Sequence, residues 1–148
     1  MEIAKIGREN AAVYARAPIG LYGYATVFLF GGIIYSLIEV LARGYTHWSM
    51  TVTGGLCLLI MFRHFTANPE KNIFKKCLYG ALIITALEFA AGCIVNLWLG
   101  WGVWDYSNLY MNVLGQICLP FMVIWYGLSF AAVWICDFLN KQLTRRYF

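Results

Sequence analysis

Residues 77–100 read CLYGALIITALEFAAGCIVNLWLG, an apolar run interrupted by one charged side chain, Glu88. A helix crosses the hydrocarbon core of a bilayer with about 20 mainly apolar residues, so this run is long enough to span. Three further runs accompany it: Leu21 to Ala42, Ser49 to Phe62 with an extension to Phe65, and Asn112 to Leu139. The second is short for a full span. Over the chain 61% of residues are hydrophobic and 12% charged, against about 25% charged in soluble domains. The fold class that follows is all-α: a polytopic membrane protein whose four transmembrane helices form two helical hairpins, with the lipid bilayer as solvent. It is read as one integral-membrane domain over residues 1–148. The parts are an N-terminal segment (1–20), a first hairpin (21–62), a loop (63–76), a second hairpin (77–139) and a tail (140–148).

Charge sets the orientation. Lys5, Arg8 and Arg16 precede the first run; Arg63, Lys71, Lys75 and Lys76 lie between the second and third; Lys141, Arg145 and Arg146 follow the fourth. Ten of the 11 basic residues therefore fall on one side, with Arg43 alone on the other. By the positive-inside rule both termini and the 63–76 loop are cytoplasmic. Basic residues placed at span ends argue for membrane topology and against nucleic-acid binding. Glu2, Lys5, Arg8, Glu9 and Arg16 in the first twenty residues leave no compact apolar core for a cleavable signal peptide. The segment before Pro18 is expected to lie on the membrane as a short helix, using Ile3, Ile6, Val13 and Tyr14. Asn68-Pro69-Glu70 breaks the helical pattern between the hairpins.

Glu88 has a counterpart. Ser36-Leu37-Ile38-Glu39 is followed by Trp48-Ser49 and Gly54-Gly55-Leu56-Cys57-Leu58. Thr85-Ala86-Leu87-Glu88 is followed by Tyr106-Ser107 and Gly115-Gln116-Ile117-Cys118-Leu119. Two readings stand: a parallel internal repeat about an axis along the membrane normal, or two ordinary hairpins with coincidental similarity. Aligning the copies needs gaps, and Glu39 sits nearer a span end than Glu88 does.

An ionisable group inside a span is costly, so each glutamate marks a candidate site. Arg43 follows Glu39 by four residues and can pair with it on the helix. Glu88, Gly92 and Asn96 recur at four-residue intervals on one helix face, and Asn112 and Gln116 are spaced alike on the fourth run. With Asp105 these form a candidate ligand or ion site in the outer half of the membrane: Glu39, Arg43, Glu88, Asn96, Asp105, Asn112 and Gln116. A neutral Glu88 would donate a hydrogen bond to Asn96 or Gln116; an ionised one would need Arg43 or a transported cation. Trp101, Trp104 and Tyr106 form an aromatic rim at the membrane–water boundary. The competing reading makes the polar groups a hydrogen-bonded plug between helices, with Ser49, Asp105 and Ser107 or Asn108 capping helix starts. Gly31-Gly32 and Gly54-Gly55 are expected at close helix contacts.

The five cysteines, an odd number with no Cys-x-x-Cys pair, read as small buried hydrophobes, with palmitoylation of Cys77 or Cys136 as the alternative. His47 and His64 fall on opposite expected sides, and neither a His-Glu-x-x-His motif nor a nucleophile elbow is present. No enzyme activity, metal or cofactor is expected.

Trp104-Asp105-Tyr106-Ser107, then Asn112, Gly115-Gln116-Ile117-Cys118-Leu119 and Trp125, with glutamates at positions 39 and 88, resembles the bacterial membrane-protein family described as "putative ABC-transporter type IV". The likeness covers roughly residues 33–139. It departs after the first span, where many members carry Asn-Arg-Gly-Phe-Leu and this chain has Arg43-Gly44-Tyr45-Thr46-His47-Trp48. The resemblance implies a permease of the bacterial cytoplasmic membrane. The chain contains no Gly-x-x-x-x-Gly-Lys-Ser/Thr phosphate loop, so ATP coupling would need a separate subunit. Two functions follow: a small transporter or channel-like protein, expected to act as a homo-oligomer because four spans make a thin wall, or a non-transporting accessory subunit, assembly factor or sensor.

Overall fold

The computed structural model describes residues 19–144, so the expected surface helix before Pro18 and the end of the tail lie outside it. The described residues form an all-helical bundle: α1 (Leu21–Arg43), α2 (Trp48–Ala67), α3 (Ile73–Gly92) and α4 (Leu119–Thr144). Helix α3 runs on into the π-helical turns Cys93–Trp98. All four helices, with α3 counted to Trp98, are long and apolar enough to cross a membrane.

Sequence explains each boundary. Helix α1 stops at Gly44, whose φ of 81° is left-handed and whose N–H closes on the Val40 carbonyl at 2.8 Å. Helix α2 starts at Trp48 because His47 is the N-cap, its Nδ1 accepting from the Ser49 N–H at 3.3 Å. Ser49 is thus inside the helix and not its cap, although its hydroxyl also meets His47 Nδ1 at 2.8 Å. Helix α2 outruns its apolar stretch, carrying Arg63 and His64 before it ends at Ala67, and α3 starts at Ile73 behind the N-cap Asn72. The connection between them is therefore residues 68–72, shorter than the 63–76 loop read from composition, because amphipathic helix ends extend beyond the hydrocarbon-length run.

The largest difference concerns the fourth run. Helix α4 begins at Leu119, not Asn112. Met111 (φ 50°), Leu114 (φ 53°) and Gly115 (φ 68°) are left-handed and cannot continue a helix. Pro120 then sits in the first turn, where no backbone donor is required. Asn112 and Gln116 consequently lie in a folded loop and share no helix face.

Helix α2 packs along α1, α3 and α4, and half of its apolar window is buried against 22% for α1 and for α4. The α1–α2 contact runs over the two glycine pairs: a methyl group on Gly31 would lie 2.5 Å from Leu58 Cβ and 2.6 Å from the Gly54 carbonyl oxygen. Helix α3 packs on α4, with Gly80 against Ser129. Helix α1 does not pack along α4. Between them lies an open-sided apolar cleft, floored by Gly54, Cys57, Leu58 and Met61 of α2 and Ile84 of α3.

Candidate functional site

The sequence-picked residues fall into three clusters. Glu88, 3% exposed, sits where α1, α3 and α4 approach one another. Tyr35 of α1 donates its hydroxyl to Glu88 Oε1. Trp125 of α4 donates its indole N–H to Oε2 at 2.9 Å. The Tyr35 and Trp125 rings stack, centroids 5.6 Å apart and planes 28° from parallel. Neither Asn96, Gln116 nor Arg43 bonds the Glu88 carboxyl, so both partner sets expected from sequence are replaced by two aromatic donors.

The second cluster is the expected Glu39–Arg43 pair, with Nη2 to Oε1 at 2.5 Å. Thr46 donates to the other carboxylate oxygen at 2.6 Å, and Arg43 Nη1 reaches the Val103 carbonyl at 3.1 Å. Glu39 is 7% exposed, so it is enclosed by its partners rather than open to water.

The third cluster ties down the 99–118 segment. The π-helical turns aim Asn96 at it: Asn96 Oδ1 accepts from Val103 N–H at 2.7 Å, and Nδ2 donates to Gln116 Oε1 at 2.8 Å. Gln116 packs on Gly92, where a methyl group would lie 2.5 Å from Oε1. Gly92 thus makes room for a side chain of the loop. Trp104 donates to the Gln116 carbonyl at 2.9 Å. Asn112 braces the same loop through the carbonyls of Ser107 and Leu109 and the N–H of Gly115.

Trp104-Asp105-Tyr106-Ser107 alternates in and out. Trp104 is buried, and Tyr106 lies half-buried on Phe121 with centroids 4.6 Å apart. Asp105 and Ser107 face outward and bond each other: Asp105 Oδ1 accepts from the Ser107 N–H at 2.8 Å and hydroxyl at 2.5 Å, holding the carboxyl below its usual range. This turn precedes α4 by a full loop, so Asp105 and Ser107 cap no helix. Gly115 closes the turn with φ 68°, and a methyl group there would meet Ser107 Oγ at 2.5 Å. Of the expected aromatic rim only Trp101 is exposed, resting on His47 and Trp48.

A family described as "Putative ABC-transporter type IV" matches residues 21–147. The chain belongs to that family. No curated protein and no solved structure matches it. The matched region contains all three clusters and all four helices.

Sequence reading missed Tyr35, Trp125 and Thr46 as site residues. Tyr35 stands one turn before Glu39 on α1, with Gly31 one turn earlier still, and that four-residue rhythm is its only signal. Among the described residues no group of three His, Cys, Asp or Glu side chains could hold a metal ion. What the Glu88 cluster can do follows from counting donors. A carboxylate offers acceptors alone, the Trp125 indole is a donor alone, and Tyr35 brings one O–H. Ionised, Glu88 satisfies both donors. Protonated, the trio holds three donors for the two carboxyl oxygens, and one must turn elsewhere or stay unpaired.

Proposed function

We propose that this chain is a transport component of the membrane in which Glu88 is the group that takes up and releases a proton, rather than an enzyme. The observation that carries this reading is the charge balance at Glu88: both oxygens accept from neutral donors, and among the described residues no cation touches them. Dehydration at mid-span disfavours the charge, while the two donors favour it. The opposed terms make the protonation state of Glu88 responsive to which side of the membrane the site communicates with. Its partners sit on α1 and α4, so a proton gained or lost there bears directly on a polar bridge between helices that do not pack along each other. Charge asymmetry supports a cytoplasmic location for both termini, and the family resemblance supports the bacterial cytoplasmic membrane. Action as a homo-oligomer, or with a separate subunit that supplies energy, fits a bundle of four helices.

A second reading rests on the other two clusters. The Glu39, Arg43, Asn96 and Gln116 side chains all bond one another or the 99–118 backbone, as a stabilising plug would. On that reading the chain is an accessory subunit.

The test is proton flux into liposomes under an imposed pH gradient, read by an enclosed pH-sensitive dye. Wild-type protein is expected to accelerate dissipation, and Glu88→Gln, which mimics the protonated state without titrating, to abolish the acceleration while still inserting into the membrane. Equal flux from wild type and Glu88→Gln would overturn the role of Glu88. No flux from either, with a stoichiometric partner co-purifying, would favour the accessory reading.

A further inference from the structure

Each helix of the Glu88 cluster runs on toward the end of the bundle opposite the termini, and each meets the 99–118 segment there. On α1, Arg43 stands two turns past Tyr35, about 12 Å along the axis, and its Nη1 donates to the Val103 carbonyl at 3.1 Å. On α3, Gly92 stands one turn past Glu88. A methyl group there would lie 2.5 Å from Gln116 Oε1 and 3.0 Å from Trp104 Cζ2. Beyond it Asn96 Oδ1 accepts from the Val103 N–H at 2.7 Å. On α4, Phe121 lies between Trp125, with ring centroids 6.4 Å apart, and Tyr106, stacked at 4.6 Å. Val103, Trp104, Tyr106 and Gln116 thus stopper this end of the bundle over Glu88 on all three sides.

The stopper is lightly held. Of residues 99–114 only Val103 and Trp104 are buried. Val103 is fastened by one hydrogen bond at each backbone group, from the side chains of Arg43 and Asn96. A segment with few buried apolar contacts opens at low free energy while the core stays closed. Left-handed glycines flank it: Gly100 (φ 67°) and Gly102 (φ 59°) before, Gly115 (φ 68°) after. Nothing lies within 4 Å of a methyl group built on Gly100 or Gly102. Packing therefore does not require glycine at these two positions; the closed backbone conformation does.

We infer that residues 99–118 are a strap that lifts from Arg43 and Asn96, and that its closed position shuts Glu88 off from the side of the membrane opposite the termini. The α1–α4 cleft is no substitute route for water, because its walls are almost wholly apolar. As a gate for protons the strap rests on the transport reading of Glu88, whereas the closure itself holds in either functional reading.

The experiment reads Glu88 by chemical modification, separately from flux. Full-length protein in phosphatidylglycerol liposomes is treated from outside with a water-soluble carbodiimide and a small amine, and amidated carboxyls are quantified by mass spectrometry. Asp105, exposed on the strap, counts the molecules whose strap faces the reagent, so the Glu88-to-Asp105 ratio corrects for insertion direction. Wild type is expected to give a low ratio. Gly100→Ala combined with Gly102→Ala strains the closed backbone without touching a neighbour. It is expected to raise the ratio about tenfold, the change that about 1.4 kcal/mol in the opening equilibrium produces. Gly92→Ala, which presses on Gln116 and Trp104, is expected to raise it too; the Gly100 and Gly102 pair keeps the test decisive if Gly92→Ala does not fold. Gly127→Ala, with open space around the new methyl group, is expected to leave the ratio unchanged. Equal ratios in wild type and the Gly100 and Gly102 double variant would overturn the strap. So would a wild-type Glu88 as reactive as Asp105. A raised ratio with no proton flux from any form, wild type included, would uphold the strap and count against the transport reading alone.

Discussion

Tyr35, Glu88 and Trp125 form a closed set of two donors and one carboxyl, and closed sets fail asymmetrically. Glu88→Leu leaves two buried donors without an acceptor, a loss of about 1–3 kcal/mol for each. Removing the donors as well, in the triple variant with Tyr35→Phe and Trp125→Phe, leaves an apolar contact and is expected to recover most of that stability. Equilibrium unfolding in detergent micelles checks both. If the triple variant unfolds as early as Glu88→Leu, the trio is not an isolated unit. Restored stability without restored proton flux would separate the function of Glu88 from its packing. Asp105 gives a second case at this scale, outside the spans. Its carboxyl is held down by the Ser107 N–H and hydroxyl. A lowered carboxylate supports the fold above its ordinary value and stops doing so as pH falls through the lowered one. Amide protection at Ser107 is therefore expected to persist through mild acid and to fade only below the ordinary aspartate value of 3.8, whereas Asp105→Ala, which removes the acceptor of that N–H, loses it at neutral pH. Exchange rates followed by NMR across a pH series decide it. Glu88 was legible in the sequence because a charge stands out in an apolar run. Its partners were not, because Tyr and Trp in a membrane sequence are most often interfacial, and only helix rotation reveals that these two point inward.

Helices α1 and α2 meet over glycines, as the pairs at 31–32 and 54–55 indicated, and the contact is tight enough to test. A methyl group at Gly31 would press on Leu58 Cβ and on the Gly54 carbonyl, which is backbone and cannot swing away. Gly31→Ala is expected to destabilise by about 1–3 kcal/mol through overpacking. Gly127→Ala on α4, with nothing within 4 Å of the new methyl group, is expected to be neutral or to gain up to about 1 kcal/mol. Thermal unfolding of the two variants in one detergent decides it, and equal shifts would mean that the α1–α2 contact is not close. Element existence was readable from run length and hydropathy, because the bilayer fixes how many apolar residues a span needs. Element ends were not. The start of α4 depends on left-handed backbone at Met111 and Leu114, residues whose identity does not announce it. That one feature moves Asn112 and Gln116 from a supposed helix face into a loop. It also gives Tyr106-Ser107 a setting unlike that of Trp48-Ser49, which opens α2 directly.

At the scale of the whole molecule, charge asymmetry and the Arg43 clasp bear on the same end of the bundle. Arg43 is the one basic residue that the sequence places opposite the others, and its charge is taken up by Glu39. Its other terminal nitrogen, Nη1, donates to the Val103 carbonyl, which joins α1 to a segment otherwise fixed by Asn96 and Gln116. Orientation and clasp should therefore separate on mutation. Arg43→Met deletes a cation that counts against the positive-inside bias, so sidedness should hold. The same change leaves Glu39 buried without its cation and releases Val103, so residues 99–118 should loosen. Breaking a buried pair on one side costs up to about 3–5 kcal/mol. This pair keeps its Thr46 bond and a part-exposed arginine, so the smaller figure of about 1–3 kcal/mol for a lost charged hydrogen bond is expected. Hydrogen exchange should then accelerate in the 99–118 segment by one to two orders of magnitude, since each 1.4 kcal/mol is about tenfold, with the α2 core unchanged. Labelling Asn108→Cys with a membrane-impermeant thiol reagent, in intact cells, should proceed equally with or without Arg43→Met. Inverted labelling would show that Arg43 sets topology, and unchanged exchange would show that the loop is held by Asn96 and Gln116 alone.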